Sequence, residues 1–138
     1  MNVMNRDEDG LNGLTQKVIG CAFNVANALG VGFLEKVYEN SLAVELRERG
    51  LKVEQQQRLE VRYHDVVVDD YAVDLLVENR VLVELKVAST LSDLHIAQCM
   101  NNVRSANKPM CLLINFGRPR IEIRRVSAGV RFCTDHPG

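Results

Sequence analysis

The sequence predicts a single α/β domain, and three observations carry that expectation. Two stretches with apolar residues at three- and four-residue steps come first, a long run of alternating β-branched segments follows, and a third helical stretch then leads into a nearly unbroken apolar run. A chain of 138 residues, 46% of them hydrophobic, is enough to close one core and too short for a second domain.

In order along the chain, residues 1–13 are polar, with Arg6, Asp7, Glu8 and Asp9, and are expected as a flexible lead-in; they lack the basic-then-apolar order of a secretory signal. Between residues 14 and 29, Val18, Ile19, Ala22, Val25, Ala26 and Leu29 mark an amphipathic helix that Gly30 and Gly32 interrupt. Leu34, Tyr38, Leu42 and Leu46 recur every four residues as a second helix that ends near Gly50. Val53, Leu59, Val61 and Tyr63, then Val66 to Val68, predict two strands. Residues 71–87 read as a further hairpin that turns at Glu78, Asn79 and Arg80. Helical spacing returns over 91–106 and stops before Pro109. Residues 110–116 suit a strand buried on both faces, and Ile121, Ile123 and Val126 alternate with charges as on an edge strand. The domain thus spans 14–126, followed by a weakly patterned tail, 127–138, expected to fray.

Lys+Arg 17 against Asp+Glu 18 leaves a net charge of −1, so the whole molecule has no general attraction for a polyanion and any such binding rests on a local patch. The apolar runs fall far short of the ~18 to 20 residues of a membrane span, and a cytoplasmic protein without membrane contact is expected. Cys21, Cys99, Cys111 and Cys133 form no CxxC pair and are expected as reduced, mostly buried thiols.

The hairpin concentrates the chemistry. One face holds Val73, Leu75 and Val77 against Val81, Val83, Leu85 and Val87, all expected in the core; the other holds Ala72, Asp74 and Leu76 with Leu82, Glu84 and Lys86. A three-residue turn pairs Val77 with Val81 and sets Asp74 across from Glu84, at the ~4.5 to 5.5 Å Cβ separation of facing residues. Two carboxylates at that distance repel unless a cation lies between them, and Mg²⁺ needs only one or two carboxylates beside water and substrate phosphate. The alternative is a strand-face ion pair with Lys86, contributing ~0 to 1 kcal/mol.

Residues 74–86 resemble the D…ExK signature of the PD-(D/E)XK nuclease superfamily, and Gly32-Phe33-Leu34-Glu35-Lys36-Val37-Tyr38 matches the motif of its GxxExxY family. With Gln98 and residues 112–117, the resemblance covers about 14–126. It implies a restriction-endonuclease-like core, a mixed central sheet flanked by helices with two helices ahead of the sheet. It further implies that Asp74, Glu84 and the Leu85 carbonyl hold Mg²⁺ or Mn²⁺, and that Lys86 orients or activates the attacking water. Glu35 would be an accessory acid or acceptor, and Gln98 would position Lys86 or the nucleic-acid backbone. The activity implied is metal-dependent hydrolysis of phosphodiester bonds in DNA or RNA. Two positions depart from the family pattern: Ala72 stands where a basic residue is frequent, and Asn102 stands where the helix motif QxxxY has tyrosine. They motivate an alternative, a catalytically degenerate nucleic-acid-binding or self-assembling protein with the same fold.

Arg118, Arg120, Arg124, Arg125 and Arg131 make the carboxyl-terminal region basic, either for phosphate contacts or as a charged, aggregation-resistant edge. His95, Gln98 and Asn102 form a polar stripe that faces a cleft or water, with His95 expected to be non-catalytic, and Tyr38 is expected to pack. A domain this small offers little surface for gripping a duplex, so a homo-oligomer is expected.

Overall fold

The computed structural model describes residues 3–127, with side chains described from residue 10. Helices α1 (Val3–Leu29) and α2 (Glu35–Glu48) precede strands β1 (Val53–Tyr63), β2 (Val66–Val77) and β3 (Val81–Lys86), and α3 (Asp93–Ala106) then leads to β4 (Met110–Asn115) and β5 (Glu122–Ser127). The strands lie in chain order across one mixed sheet. Neighbours are antiparallel except β3 and β4, which are parallel and therefore need the crossover that α3 supplies.

The helices cover both faces. Val18, Ala22, Tyr38, Leu42 and Leu46 of α1 and α2 pack on Leu75, Val83, Leu85, Leu112 and Ile114, while Cys99 and Val103 of α3 pack on Val73, Leu76, Leu82, Cys111 and Leu113. Double coverage explains why all six residues of β4 are buried, as its unbroken apolar sequence requires. Cys21, Cys99 and Cys111 are free and buried. Tyr38 is fully buried, stacks on Phe116 at 4.7 Å between ring centroids, and donates its hydroxyl proton to the Gly30 carbonyl.

Four details differ from the sequence reading. The first helix begins at Val3, not Leu14, so the segment expected as a lead-in is helical backbone from Val3 onward. The run Val66–Val77 is one strand where a break was expected, because Asp69 and Asp70 pair with β1 and Asp70 accepts from Arg58 at 2.7 Å. Val73 packs with α3, opposite the face of Leu75, and Val87 lies beyond the end of β3 and is exposed. The tail, including Arg131 and Cys133, lies outside the described residues apart from Ser127, which closes β5.

One buried polar side chain ties the end of β3 to the sheet. Asn115 is fully buried; its oxygen accepts from the Ala88 and Gly117 amides, and its NH₂ donates to the Ala88 carbonyl and Glu122, all at 2.9 to 3.0 Å. Gly117 permits this approach, since a Cβ there would meet Ala88 backbone atoms at 2.4 Å. Asn115→Leu should therefore strand several polar groups and cost about 2 to 4 kcal/mol. A urea midpoint that drops at constant m-value is the expected result, and an unchanged midpoint would show that the clamp is dispensable.

Candidate active site

The sheet forks between β2 and β3. The two strands pair only at Val77/Val81, Leu76/Leu82 and Leu75/Val83; β2 then continues alongside β1, and β3 alongside β4. Side chains replace the missing ladder at the fork. The Asp74 amide donates to Glu84 Oε1 at 3.1 Å, and the Leu85 amide donates to Asp74 Oδ2 at 2.8 Å. Buried backbone donors demand acceptors, and here two carboxylates supply them. Asp74 and Glu84 are thus brought against each other, as the hairpin count expects, through bonds the count does not contain.

Both β1 and β2 change sides at this level. Val53 faces α1 and α2 whereas Leu59 faces α3, and likewise Leu75 and Val73 face opposite helices although two residues apart. The turning points are Asp74 and its neighbour across β1, Gln56, which has a positive φ of 57° uncommon for a residue with a side chain. Gln56 Nε2 reaches Asp74 Oδ1 at 3.4 Å and Glu39 Oε1 at 2.9 Å. Glu39, 3% exposed on α2, also accepts from Lys36 and Gln55 at 2.9 Å. Burial alone would raise the Glu39 carboxyl, but these donors outweigh it and hold the group below its ordinary value. Glu39 escaped the sequence reading; its one signal was its place one turn after Glu35 on the same helix face.

The other acids behave in the opposite way. Burial and then the Asp74 charge push Glu84 up to about 7. Asp74 is raised by burial and by Glu39, against the Leu85 amide that pulls it down. Glu35, exposed in the first turn of α2, is raised by partial desolvation and then by Asp74, with Lys86 opposing, so its carboxyl senses the fork.

Glu84, Lys86 and Gln98 line one cleft of about 650 Å³ between the β2 arm and α3, together with Tyr71, Asn102 and Arg104. His95 is engaged structurally: its Nδ1 accepts from the Ser92 amide in the cap of α3. Leu85 keeps its side chain in the core, 1% exposed, with its backbone at the fork. Arg118, Arg120, Arg124 and Arg125 do not line the cleft; all four are exposed, Arg118 faces Glu122 at 3.4 Å, and Arg124 and Arg125 sit on the edge strand β5. The structure therefore gathers Asp74, Glu84, Leu85, Lys86 and Gln98, with Glu35 at the margin, and leaves the arginines apart.

Among the described residues, no group of three or more His, Cys, Asp or Glu converges to hold a metal ion. The fork offers two carboxylates, hard oxygens of the kind that Mg²⁺ or Mn²⁺ accepts beside water. Two desolvated carboxylates, with the Asp74 charge raising the proton affinity of Glu84, fit a cation chemically, since either a proton or a metal relieves that repulsion. Because folding raises the Glu84 value from 4.5 to about 7, its stabilising proton is fully held below pH 4.5 and is lost as pH rises through 7. In chelator, stability from this group should fall between pH 5 and pH 8 by roughly 1 to 3 kcal/mol, partial exposure reducing the upper value. Glu84→Gln should flatten that dependence in urea titrations; a slope that persists unchanged in the variant would rule out Glu84 as its source.

The match to known proteins agrees with this geometry. Residues 12–126 match a family model described as PD-(D/E)XK nuclease superfamily. No curated protein matches the chain. One solved structure, titled "Crystal structure of SSO0001", aligns with a TM-score of 0.51 at 14% identity over 67% of this chain and 50% of its own, so the likeness is one of fold and the chain spans half of that protein's length. Among the described residues no helix is long and apolar enough to cross a membrane. With its mixed sheet, flanking helices and acidic fork followed by Lys86, the chain belongs to the PD-(D/E)XK nuclease superfamily.

Proposed function

We propose that this domain is a divalent-metal-dependent nuclease that hydrolyses phosphodiester bonds of nucleic acid. The carrying observation is the fork itself: where the sheet splits, Glu84 accepts the Asp74 amide and Asp74 accepts the Leu85 amide, and Glu84 shares its cleft with Lys86 and Gln98. Asp74, Glu84 and the Leu85 carbonyl would hold Mg²⁺ or Mn²⁺. Such a cation supplies Lewis acidity toward a phosphoryl oxygen and a lowered water pKa. Lys86, two residues beyond Glu84 on β3, presents a donor and a positive charge to the phosphate and to the water that attacks it. Gln98 on α3 orients the substrate backbone or Lys86, and Glu35 at the start of α2 is an accessory acid or hydrogen-bond acceptor.

The GxxExxY assignment belongs to the same proposal. Gly32 has a positive φ of 110° that suits the link into α2, Glu35 follows at the helix start, and Tyr38 locks the link by bonding Gly30 and Phe33. Work in the cytoplasm as a homo-oligomer completes the reading, motivated by the small size of the domain.

Purified protein should cleave DNA or RNA only with Mg²⁺ or Mn²⁺. Asp74→Asn, Glu84→Gln and Lys86→Ala should each lower kcat by about 10² to 10⁴, with a smaller loss for Glu35→Gln. Cleavage in chelator, or wild-type rates in the Glu84 variant, would refute the mechanism; retained binding without hydrolysis under any metal would instead identify a fold that has lost its chemistry.

A further inference from the structure

The shape of the cleft bears on which nucleic acid enters it, a question that rests on the nuclease reading and goes beyond it. Glu84 and Lys86 are half-buried at the closed end of a fork, with the β2 arm on one side and α3 on the other. A volume of about 650 Å³ lies within the ~300 to 1,000 Å³ that encloses one small ligand. That is the scale of one or two nucleotides. A duplex keeps its bases stacked inside and paired, and enzymes that must bring a nucleotide into a pocket act on single strands or extrude the residue.

The lining has the chemistry of a nucleotide as well as of a phosphate. Lys86 and Arg104 are cations spaced along the cleft, whereas Asn101, Asn102 and Ser105 supply neutral donors and acceptors between them, with the Tyr71 ring beside them. Asn102 is 2% exposed, and its oxygen accepts from the Tyr71 hydroxyl at 2.8 Å. Its Nδ2 is buried against the Cys111 thiol, a weak acceptor, and has no stronger partner. Asn102 thus fixes Tyr71 at the cleft wall, and the exposed Asn101 carboxamide beside it offers the donor and acceptor that an incoming base can pair with.

We infer that the cleft between β2 and α3 binds an unpaired nucleotide of a single-stranded or splayed substrate, its base against Tyr71 and the Asn101 carboxamide, its flanking phosphates on Lys86 and Arg104. Arg104 and Asn101 are positioning residues on the exposed flank of α3, so their replacement does not disturb the core.

The test is fluorescence anisotropy with labelled single-stranded DNA and RNA oligonucleotides and blunt duplexes of the same sequence, with Ca²⁺ as the divalent cation so that binding is read without turnover. Single strands should bind at least tenfold more tightly than duplexes, and the double variant Asn101→Ala/Arg104→Ala should weaken single-strand binding tenfold or more with an unchanged circular dichroism melt. In Mn²⁺ the same variant should raise KM with little change in kcat. Equal or tighter duplex binding, or single-strand affinity unchanged in the variant, overturns the inference while leaving nuclease activity standing if Mn²⁺-dependent cleavage persists. Failure to bind any nucleic acid, with no cleavage in Mn²⁺, removes both.

Discussion

The structure depends on how a sheet ends a pairing it cannot continue. Where β2 and β3 part, the amides of Asp74 and Leu85 lose the carbonyls that an antiparallel ladder would provide, and each takes a carboxylate oxygen instead. The two acids are therefore part of the hydrogen-bonding of the fold before they are anything else. Strands that diverged without such acceptors would leave buried donors unpaired, which is more costly than the bond itself is favourable. The fork thus fixes the positions of Asp74 and Glu84 by the same interactions that keep the sheet intact.

The contacts around the fork move its acids in opposite directions. Glu39 is 3% exposed yet held low by Lys36, Gln55 and Gln56, while Asp74 and Glu84 are both raised, first by desolvation. Donors add to the difference: Glu39 receives three side-chain donors, whereas at the fork Glu84 accepts the Asp74 amide and Asp74 the Leu85 amide. Gln56 joins the two environments, with one amide nitrogen on both Glu39 and Asp74, and its left-handed backbone is the strained point at which β1 turns over in step with β2. Helix α2 thereby reaches the fork twice, through Glu39 as a fixed anchor and through Glu35 as an exposed carboxyl.

Much of this was legible from the chain. Period-two alternation placed the hairpin, its turn at Glu78 to Arg80 and the pairing of Val77 with Val81, and from that count the approach of Asp74 to Glu84 followed. Alternation is also why the rest was hidden. A strand read with strict period two puts Val73 with Leu75, and only a reversal at Asp74, set by Glu84 and Gln56 from other strands, moves it to the face of α3. The extra length of β2 rests on pairing with β1 across an exposed ribbon of charges that individually read as loop. Glu39 carries no motif, and its role depends on glutamines that lie 16 and 17 residues later in sequence.

Charge then explains why the cleft and the basic edge are separate problems. With a net charge of −1, the chain draws a polyanion only through local fields. The arginines of the β5 edge lie outside the cleft, and Arg118 is engaged with Glu122. Inside, the cations Lys86 and Arg104 share the lining with the acids Glu84 and Asp69, so the cleft carries no excess of positive charge. Two like charges 4 Å apart at a protein surface oppose each other by about 4 kcal/mol, so the charge state of Glu84 in the lining bears on any phosphate that enters. If the proposed function holds, neutralising Asp74 and Glu84 by proton or cation and admitting a phosphate would be thermodynamically linked, each favouring the other to the same extent. Under the proposed function, the acids that hold the sheet at its fork would also set the condition under which the cleft takes a phosphate-bearing substrate.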